Sequence, residues 1–230
     1  MIKLEKTEVW GFKHAVRGMR NPLNSWDKSD STECTLVDKK CGVCESNHEG
    51  RCYDGFIIGN NDLNLMKKLR STGSDHGKFM RMIMVSVDIN APLYWWKEFD
   101  TYKVGTVANS CSTMHKIHSK PIELSDFSID NFVIEDNDLE LELNDYFYNV
   151  VADCEVLRKK FIETKDKKYW RGLIQLLPTS YNQLRTVTLN YEVLRNIYHA
   201  RKNHKLNEWH EFCDWVESLP YAESLIIGEE

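Results

Sequence analysis

The sequence lacks a long apolar run, a secretory leader and an excess of positive charge, and each absence excludes a class of protein. No apolar segment approaches the roughly 18 residues that a membrane-spanning helix needs, so no membrane partner is expected. The net charge is −5, which argues against a protein that binds DNA or RNA polymers regardless of sequence. A small anionic ligand is still compatible with this charge, because a few local Arg and Lys side chains suffice to bind it.

The N-terminus, "MIKLEKTEVWGF", lacks the apolar segment of a secretory signal. Without an export signal, the seven cysteines are expected to be thiols rather than disulfides, and a cytoplasmic protein is expected. What the chain does contain is enough apolar material for a sizeable core, since 42% of its 230 residues are hydrophobic. We predict one domain over residues 1–230, with a polar, cysteine-bearing loop insertion at about 21–58.

Residue periodicity predicts both strands and helices in the N-terminal half. Residues Ile2–Trp10 are predicted as a strand and "GFKHAVRGMR" as a short helix. "NNDLNLMKKLRSTG" predicts a helix that Asn61 or Asp62 caps and Gly73 ends. The strand "RMIMVSVDI" has one apolar face, formed by Ile83, Val85, Val87 and Ile89. Pro92 then suits the first turn of a helix that carries an aromatic block.

The C-terminal part predicts two amphipathic helices and a strand-to-helix unit between them. In "NDYFYNVVADCEVLRKKFIE", helical spacing places on one face Tyr146, Val150, Leu157 and Phe161. "LRTVTL" is rich in β-branched residues, and Asn190 is a natural N-cap for the helix "YEVLRNIYHARK". The last helix, "EWHEFCDWVESL", is predicted to bury Trp209, Phe212, Cys213 and Val216.

The predicted loop insertion carries a candidate metal site. "CGVC" is a C-x2-C pair, and zinc takes four thiolate or imidazole ligands in tetrahedral geometry. The candidate zinc ligands are Cys34, Cys41, Cys44 and Cys52. The outer spacings are irregular and the chain has no second C-x2-C pair, so the alternative is a solvated loop with incidental thiols.

Two other segments are candidates for ligand binding. Arg201 follows Asn190 by about three helical turns, and faces either a cleft beside the apolar side of its helix or solvent. Residues Asp100–His115, "DTYKVGTVANSCSTMH", are small and polar and follow the aromatic block "APLYWWKEF". Their hydroxyls, their backbone N–H groups and Lys103 could hold a phosphate, or the segment could merely turn.

Taken together, these segments resemble the flavin-dependent thymidylate synthases. That family has a Leu-Pro motif, a strand, an Asn-capped helix, an Arg one helix later and then a Trp-Glu helix. The matching stretch is "LLPTSYNQLRTVTLNYEVLRNIYHARKNHKLNEW". From Pro178 through Asn190 to Arg201 the spacing fits without a gap, and Trp209 is displaced by one residue.

The central part of the chain resembles the same family more loosely. The family's His-containing turn, strand and Ala-Pro fall on "SDHGKFMRMIMVSVDINAP", which places His76 in the turn. The signature RHRxxSxNExSxRY falls on "YKVGTVANSCSTMH", where Asn109 and Ser112 match its later Asn and Ser. The Arg-His-Arg falls on Tyr102–Val104, or one residue earlier if the register slips, so Lys103 is the one cation there.

The resemblance implies an α/β (α+β) fold with a mixed sheet and packed helices, and a homotetramer whose sites lie between subunits. It implies FAD as cofactor, NADPH and methylenetetrahydrofolate as co-substrates, and dUMP or a related nucleotide as substrate. The implied cofactor-binding residues are His76, Lys103 and Asn190. The implied nucleotide-binding residues are Asn109, Ser112 and Arg201, and Arg201 is the implied catalytic residue because it contacts the pyrimidine.

The missing arginines leave two functions open. One is the reductive methylation of dUMP, or a related change at C5 of a pyrimidine nucleotide, with reduced flavin as hydride donor. The other is a non-catalytic protein that binds or sequesters a nucleotide on the same scaffold. A lysine supplies a point charge where an arginine supplies a planar fork, so losing the Arg-His-Arg is expected to weaken flavin binding.

Overall fold

In the part of the chain that the structure describes, the fold combines eight α-helices with one main sheet. The computed structural model describes residues 2–34, 47–48, 51–52, 55–129 and 137–228. Its α-helices, within these ranges, are α1 (Phe12–Arg20), α2 (Asn60–Ser71), α3 (Leu93–Phe99), α4 (Thr113–Lys116), α5 (Asn137–Thr164), α6 (Lys167–Leu176), α7 (Tyr191–Arg201) and α8 (Asn207–Glu217). The predicted class of fold, strands with packed helices, is therefore confirmed.

The main sheet has four strands in the order β1-β6-β8-β7. These strands are β1 (Lys3–Trp10), β6 (Met84–Pro92), β7 (Val107–Ser110) and β8 (Asn182–Asn190). Two small antiparallel pairs join β2 (Thr32–Glu33) to β5 (Phe56–Ile57) and β3 (Asn47–His48) to β4 (Arg51–Cys52). The inner strand β6 has the predicted buried face, formed by Ile83, which precedes it, Val85, Val87 and Ile89. This face is buried because alternate strand residues point to the same side of the sheet.

The chain divides into two compact units, and each is described by itself. The α5–α6 unit contains Met1–Lys3, Ile89–Thr101 and Asn109–Arg185. The α7–α8 unit contains Leu4–Asp88, Tyr102–Ala108 and Thr186–Glu230.

The α5–α6 unit has a core where α5 and α6 pack on each other. Its centre is formed by Ile117, Ile122, Phe127, Val151, Cys154, Leu173 and Tyr181. The predicted inward face of α5 is wrong at Tyr146, which is 71% exposed. The buried side of α5 is formed by Val151, Cys154 and Arg158, which are spaced about one helical turn apart. These residues face the core of the unit and the segment that precedes α5 in the chain.

The α7–α8 unit confirms the predicted apolar face of its last helix. The residues of α8 that are buried include Trp209, Phe212, Cys213 and Val216. Helix α7 also packs against α8 and buries Leu194 and Ile197. The Tyr191 hydroxyl donates to the backbone oxygen of Pro220 over 2.7 Å, which ties the start of α7 to the segment after α8.

The predicted cap of α2 is wrong. The N-cap position is Gly59, the helix begins at Asn60, and the carboxylate of Asp30 accepts the backbone N–H groups of Asn61 (2.9 Å) and Asp62 (3.1 Å). Asp62 is instead fully buried, where it forms an ion pair of 2.5 Å with Arg20. Asp62 cannot serve as the cap because its carboxylate is the counter-charge of a buried guanidinium.

A glycine and a proline set the end of helix α2 and the end of strand β6. Gly73 has a φ of +121°, a left-handed conformation that ends α2 as predicted. Pro92 ends strand β6 and is the N-cap of α3, one position before the first helical turn in which it was predicted. A φ of −67° suits both places, so the sequence alone does not distinguish them, and the extended ψ of 151° makes Pro92 the N-cap.

Candidate functional site

His76 lies in a turn that directly precedes a six-residue 3-10 helix of the α7–α8 unit. Its backbone N–H donates to the oxygen of Gly73 over 3.1 Å, and the 3-10 helix Gly77–Met82 begins directly after it. The His76 side chain is exposed, whereas Phe79 and Met80 of the same segment are buried. The buried residues anchor the segment, so the histidine is presented from a fixed backbone.

A cavity of about 680 Å³ lies beside this turn. Its apolar wall is formed by Met19, Leu23, Leu69, Phe79 and Met82, and its polar wall by Asn21, Asp75, His76 and Lys78. Small-molecule sites are mostly apolar clefts of about 300–1,000 Å³ with a few convergent polar groups, and this cavity has that character.

Asn190 caps α7 as predicted. Its side-chain oxygen accepts the backbone N–H of Val193 over 3.1 Å, and the residue is buried. The polar segment passes close to this cap, because a Cβ added at Gly105 would lie 3.1 Å from Asn190 Nδ2 and 3.0 Å from a methyl of Val193. Lys103, in the turn before Gly105, is exposed. Asn190 is therefore held by its own helix and by the polar segment, and Lys103 faces solvent.

Arg201 ends α7 and is held by two aromatic rings of the α7–α8 unit. Its Nε donates to the hydroxyl of Tyr102 over 2.8 Å. Its guanidinium carbon lies 4.8 Å from the ring centre of Trp209 and 5.6 Å from that of Tyr102. Trp209 is fully buried, so this cation–π contact fixes the guanidinium at the edge of the core. The Arg201 side chain is half-buried, which is intermediate between the cleft-facing and the solvent-facing orientations that the sequence allowed.

Asn109 and Ser112 belong to the α5–α6 unit. Asn109 lies in β7, an outer strand of the main sheet, with its side chain exposed. Ser112 is the N-cap of the short helix α4 and accepts the backbone N–H of His115 over 3.1 Å. A serine hydroxyl can accept one hydrogen bond and donate another, so this cap leaves the proton of Ser112 available to a ligand. Within the polar segment Asp100–His115, residues Val107–Ser110 thus form strand β7, and Ser112 caps helix α4.

Sequence reasoning missed Arg185, a cation of β8 in the α5–α6 unit. Its Nη1 donates to Asp100 over 2.7 Å and its Nε to Gln183 over 2.9 Å. Its guanidinium lies 4.1 Å from the ring centre of Trp96. The signal in the sequence was a single arginine in a strand of β-branched residues, but its partner Asp100 is 85 positions away.

The aromatic block before the polar segment belongs to the core. Trp95, Trp96 and Phe99 are at most 2% exposed, and their rings contact one another at centre distances of 5.0–5.3 Å. Arg185 covers a face of Trp96. These rings are therefore occupied by other side chains and are not a stacking platform for a ligand.

The predicted zinc ligands fall largely outside the described residues. Cys41 and Cys44 lie there, and Cys52 is described only through its backbone in β4. Cys34 is a half-buried free thiol whose backbone N–H donates to the oxygen of Gly55 over 2.7 Å. Among the side chains that the structure describes, no group of three His, Cys, Asp or Glu could hold a metal ion. Zinc in this loop stays a prediction.

A helix crosses a membrane only if it is both long and apolar. Within the described ranges, none is both long and apolar enough to cross a membrane. The longest, α5, spans 28 residues but carries charged side chains along its length.

Known proteins resemble this chain in fold and not in sequence. No protein-family model matches it, and no curated protein is similar to it in sequence. The flavin-dependent thymidylate synthase ThyX from Helicobacter pylori, complexed with FAD and dUMP, is similar at a TM-score of 0.63 and 14% identity, over 98% of this chain and 97% of that chain. A 2.31 Å structure of ThyX from the same organism with FAD and dUMP is similar at a TM-score of 0.62 and 13% identity, over 98% and 96%. The chain therefore has the mixed α/β fold of these flavin-dependent thymidylate synthases.

Proposed function

We propose that this protein is a thymidylate synthase-like flavoenzyme that reductively methylates dUMP or a related pyrimidine deoxynucleotide. The observation that carries the proposal is the cavity of about 680 Å³ that His76 lines, in a fold whose solved relatives are complexed with FAD and dUMP. The single histidine that the resemblance assigned to the cofactor thus borders a cavity of suitable size and polarity.

The residues around this cavity fit the ring of a flavin. Phe79 and Met82 offer apolar surface to the dimethylbenzene part of the ring, and His76 and Lys78 offer hydrogen-bond donors to its polar edge. When bound, the reduced flavin supplies the hydride, and NADPH and methylenetetrahydrofolate supply electrons and the one-carbon unit. The protein's contribution is to orient the reactants and keep water away from them.

Arg201 is the residue proposed to act on the pyrimidine. Tyr102 and Trp209 hold its guanidinium in one orientation, so little rotamer entropy is lost when a carbonyl oxygen of the base accepts from it. A positive charge fixed there would stabilise negative charge that develops on that oxygen as C5 reacts. Ser112 is proposed to donate its remaining proton to the nucleotide phosphate, and Asn109 to bind the same nucleotide.

The binding step is tested by titrating dUMP into the wild type and Arg201→Ala. A hydrogen bond from a guanidinium is worth about 1.5–3 kcal/mol, so the substitution is expected to weaken binding roughly 10–100-fold. Lys202→Ala is the matched control, because it removes an exposed positive charge from the adjacent position. Circular dichroism verifies the fold of both variants. Equal affinities for wild type and Arg201→Ala, or no binding by the wild type, would contradict the assignment.

A second function is favoured by the exposed turn at the Arg-His-Arg positions. Val104 is 92% exposed, and Lys103 beside it is exposed as well, so this turn presents one ammonium group where the family signature has two guanidinium groups. A protein that binds the nucleotide without flavin chemistry would also fit this observation. The two functions can be distinguished by the absorbance spectrum of the purified protein and by the reaction product. The enzyme is expected to show the flavin absorbance band, as purified or after reconstitution, and to form dTMP from dUMP when given NADPH and methylenetetrahydrofolate.

The proposed assembly is a homotetramer. Its support is the family resemblance and the outer strand β7, whose four side chains are all exposed. The outer edge of such a strand is a surface on which a strand of a second chain can pair. Light scattering at micromolar concentration is expected to give four times the mass of the chain, and a clean monomer would contradict this expectation.

A further inference from the structure

Gln183 is a buried glutamine of β8 that contacts the residue before Ser112. It is 8% exposed. Its Nε2 donates to the backbone oxygen of Cys111 over 2.9 Å, and its Oε1 accepts from Arg185 Nε over 2.9 Å. All four residues belong to the α5–α6 unit. Both ends of the buried amide are thus used, one by the segment that leads to Ser112 and one by a residue of its own strand.

The neighbours of Gln183 allow only one orientation of its amide. The Nε of Arg185 carries a proton and cannot accept, so it must meet the amide oxygen. The backbone oxygen of Cys111 has no proton, so it must meet the amide nitrogen. A flipped amide would place donor against donor and acceptor against acceptor, at a buried position where an unmade hydrogen bond is costly. The direction of the hydrogen bond to Cys111 therefore follows from the chemistry of the two partners.

Arg185 is itself held in place, so it can fix the amide of Gln183. Its Nη1 donates to Asp100 over 2.7 Å, and its guanidinium lies 4.1 Å from the ring centre of Trp96. The indole N–H of Trp96 donates in turn to the backbone oxygen of Gln183 over 2.9 Å. Trp96 is 1% exposed, so this network is anchored in the core of the unit. Gln183 is therefore restrained through its backbone and through its side chain.

The hydrogen bond from Gln183 orients the peptide group that joins Cys111 to Ser112. The backbone N–H of Cys111 donates to the oxygen of Leu184 over 2.9 Å, so both polar backbone atoms of Cys111 are bonded to β8. The carbonyl of Cys111 and the N–H of Ser112 belong to one planar peptide group. Fixing this plane restrains the backbone of Ser112 where it caps α4. The Ser112 hydroxyl is thus carried by a backbone that β8 positions.

We propose that Gln183 is a positioning residue for the nucleotide, because its hydrogen bond to Cys111 holds the Ser112 hydroxyl where that hydroxyl meets the nucleotide phosphate. This inference rests on the proposed function, in which Ser112 donates to the phosphate. A donor that is already in place binds at a lower entropic cost than one that must be ordered. Gln183 acts through the backbone, so its effect is confined to the phosphate end of the ligand, whereas Arg201 is proposed to act on the base.

The test is titration calorimetry of the full-length protein with dUMP and with deoxyuridine, which lacks the phosphate. Gln183→Glu keeps an acceptor for Arg185 but, when ionised, has no donor for Cys111. Gln183→Met removes both hydrogen bonds and adds no charge. The two variants share the loss of the bond to Cys111, so both are expected to bind dUMP roughly 3–10-fold more weakly and deoxyuridine within about twofold of the wild type.

Gln175→Glu is the matched control, because it makes the same change at an exposed glutamine of α6 in the same unit. It is expected to bind both ligands as the wild type does. Circular dichroism verifies the fold of all three variants.

Hydrogen exchange of backbone amides tests the position of the segment without any ligand. The amide of Cys111 donates to the oxygen of Leu184, and the amide of His115 donates to Ser112 Oγ. Both amides are expected to exchange faster in the two Gln183 variants, because the segment opens more often when one of its bonds to β8 is lost. The amides of α6 are expected to keep their wild-type rates.

The titrations and the exchange rates separate the possible results. Weaker dUMP binding with unchanged deoxyuridine binding in both Gln183 variants supports the inference. An equal loss for dUMP and deoxyuridine, a loss in Gln183→Glu alone, or wild-type dUMP affinity in both variants would overturn it. Wild-type protein that binds neither ligand would remove the proposed function and the nucleotide with it. Faster exchange at Cys111 and His115 would then still leave Gln183 as the residue that positions Ser112, and unchanged exchange would refute that role as well.

Discussion

Glu155 of α5 forms a partly buried ion pair with Arg158 in the α5–α6 unit, and replacing Glu155 with glutamine is expected to change the stability by an amount that can be worked out. One carboxylate oxygen accepts from Arg158 Nε (2.6 Å) and from the backbone N–H of Ile122 (2.9 Å), and the other accepts from Arg158 Nη2 (2.7 Å). Arg158 in turn donates to the oxygen of His118 over 3.2 Å. The pair thus fastens α5 to residues 118–122. A glutamine keeps one acceptor, turns an N–H₂ donor toward a guanidinium and removes the counter-charge of a buried arginine.

The hydrogen bond from Arg158 is the chief cause that lowers the pKa of Glu155 to about 2. At about 1.4 kcal/mol per pKa unit, a drop from the usual ~4.3 corresponds to roughly 3 kcal/mol as an upper bound. The side chains of Glu155 and Arg158 are 19% and 10% exposed, so solvent screens part of this interaction. We therefore expect Glu155→Gln to lower the free energy of unfolding by about 2 kcal/mol at pH 7, between the values for exposed and buried pairs.

The pH dependence has a definite sign. A carboxyl whose pKa is lower in the folded state contributes its full stability above the unfolded pKa of ~4.3, and loses it as the pH falls through about 2. Urea unfolding at pH 7 and pH 3 should therefore show the two proteins converging at the lower pH. Lys159→Gln is the control, because that ammonium lies 3.6 Å from Glu155 and is 64% exposed, and its loss should cost under ~1 kcal/mol. A difference below ~0.5 kcal/mol at pH 7, or one that does not change with pH, would refute the reasoning.

Three further substitutions test contacts in the α7–α8 unit. Gly105→Ala should lower the free energy of unfolding by about 1–3 kcal/mol, because the residue has a φ of +77° and the new methyl would press on Val193 at 3.0 Å; an unchanged urea midpoint would disprove the close approach. Asp62→Asn should cost about 3 kcal/mol, since it leaves a buried guanidinium without its counter-charge, and a loss under ~1 kcal/mol would contradict the ion pair. Tyr102→Phe should weaken dUMP binding roughly 3–10-fold in calorimetry by freeing Arg201 from its acceptor; unchanged affinity would exclude a positioning role for the hydroxyl.

Local chemistry made the strand-to-helix unit at Asn190 predictable. An asparagine after a β-branched strand caps the next helix within three residues, so cap, helix and buried face can all be read from adjacent positions. Helical spacing likewise predicted the buried side of α8, including Trp209 and Phe212. Such features depend on residues that are neighbours in sequence.

Contacts between distant residues could not be predicted in the same way. The cap of α2 is Asp30, 31 positions before the N–H group of Asn61 that it accepts. The acceptor for Arg201 is Tyr102, 99 positions earlier. A periodic pattern shows which side of an element is buried but not which residue of another element meets it, and both partners here are polar residues in segments without periodicity. In the sequence, Tyr102 stands where the family signature has an arginine, and no local pattern identifies it as the hydrogen-bond partner of Arg201.

The contact between Tyr102 and Arg201 gives a physical reason why position 102 does not carry an arginine. In the register that aligns Asn109 and Ser112 with the family signature, Tyr102 takes the place of the first arginine. Its hydroxyl accepts from Arg201 and its ring lies beside the guanidinium. A second guanidinium in this place would set two positive charges within a few ångströms, at a cost of about 1–4 kcal/mol for charges ~4 Å apart near a protein surface. Tyr102→Arg is therefore expected to displace Arg201, because the surroundings of Arg201 depend on an acceptor at position 102.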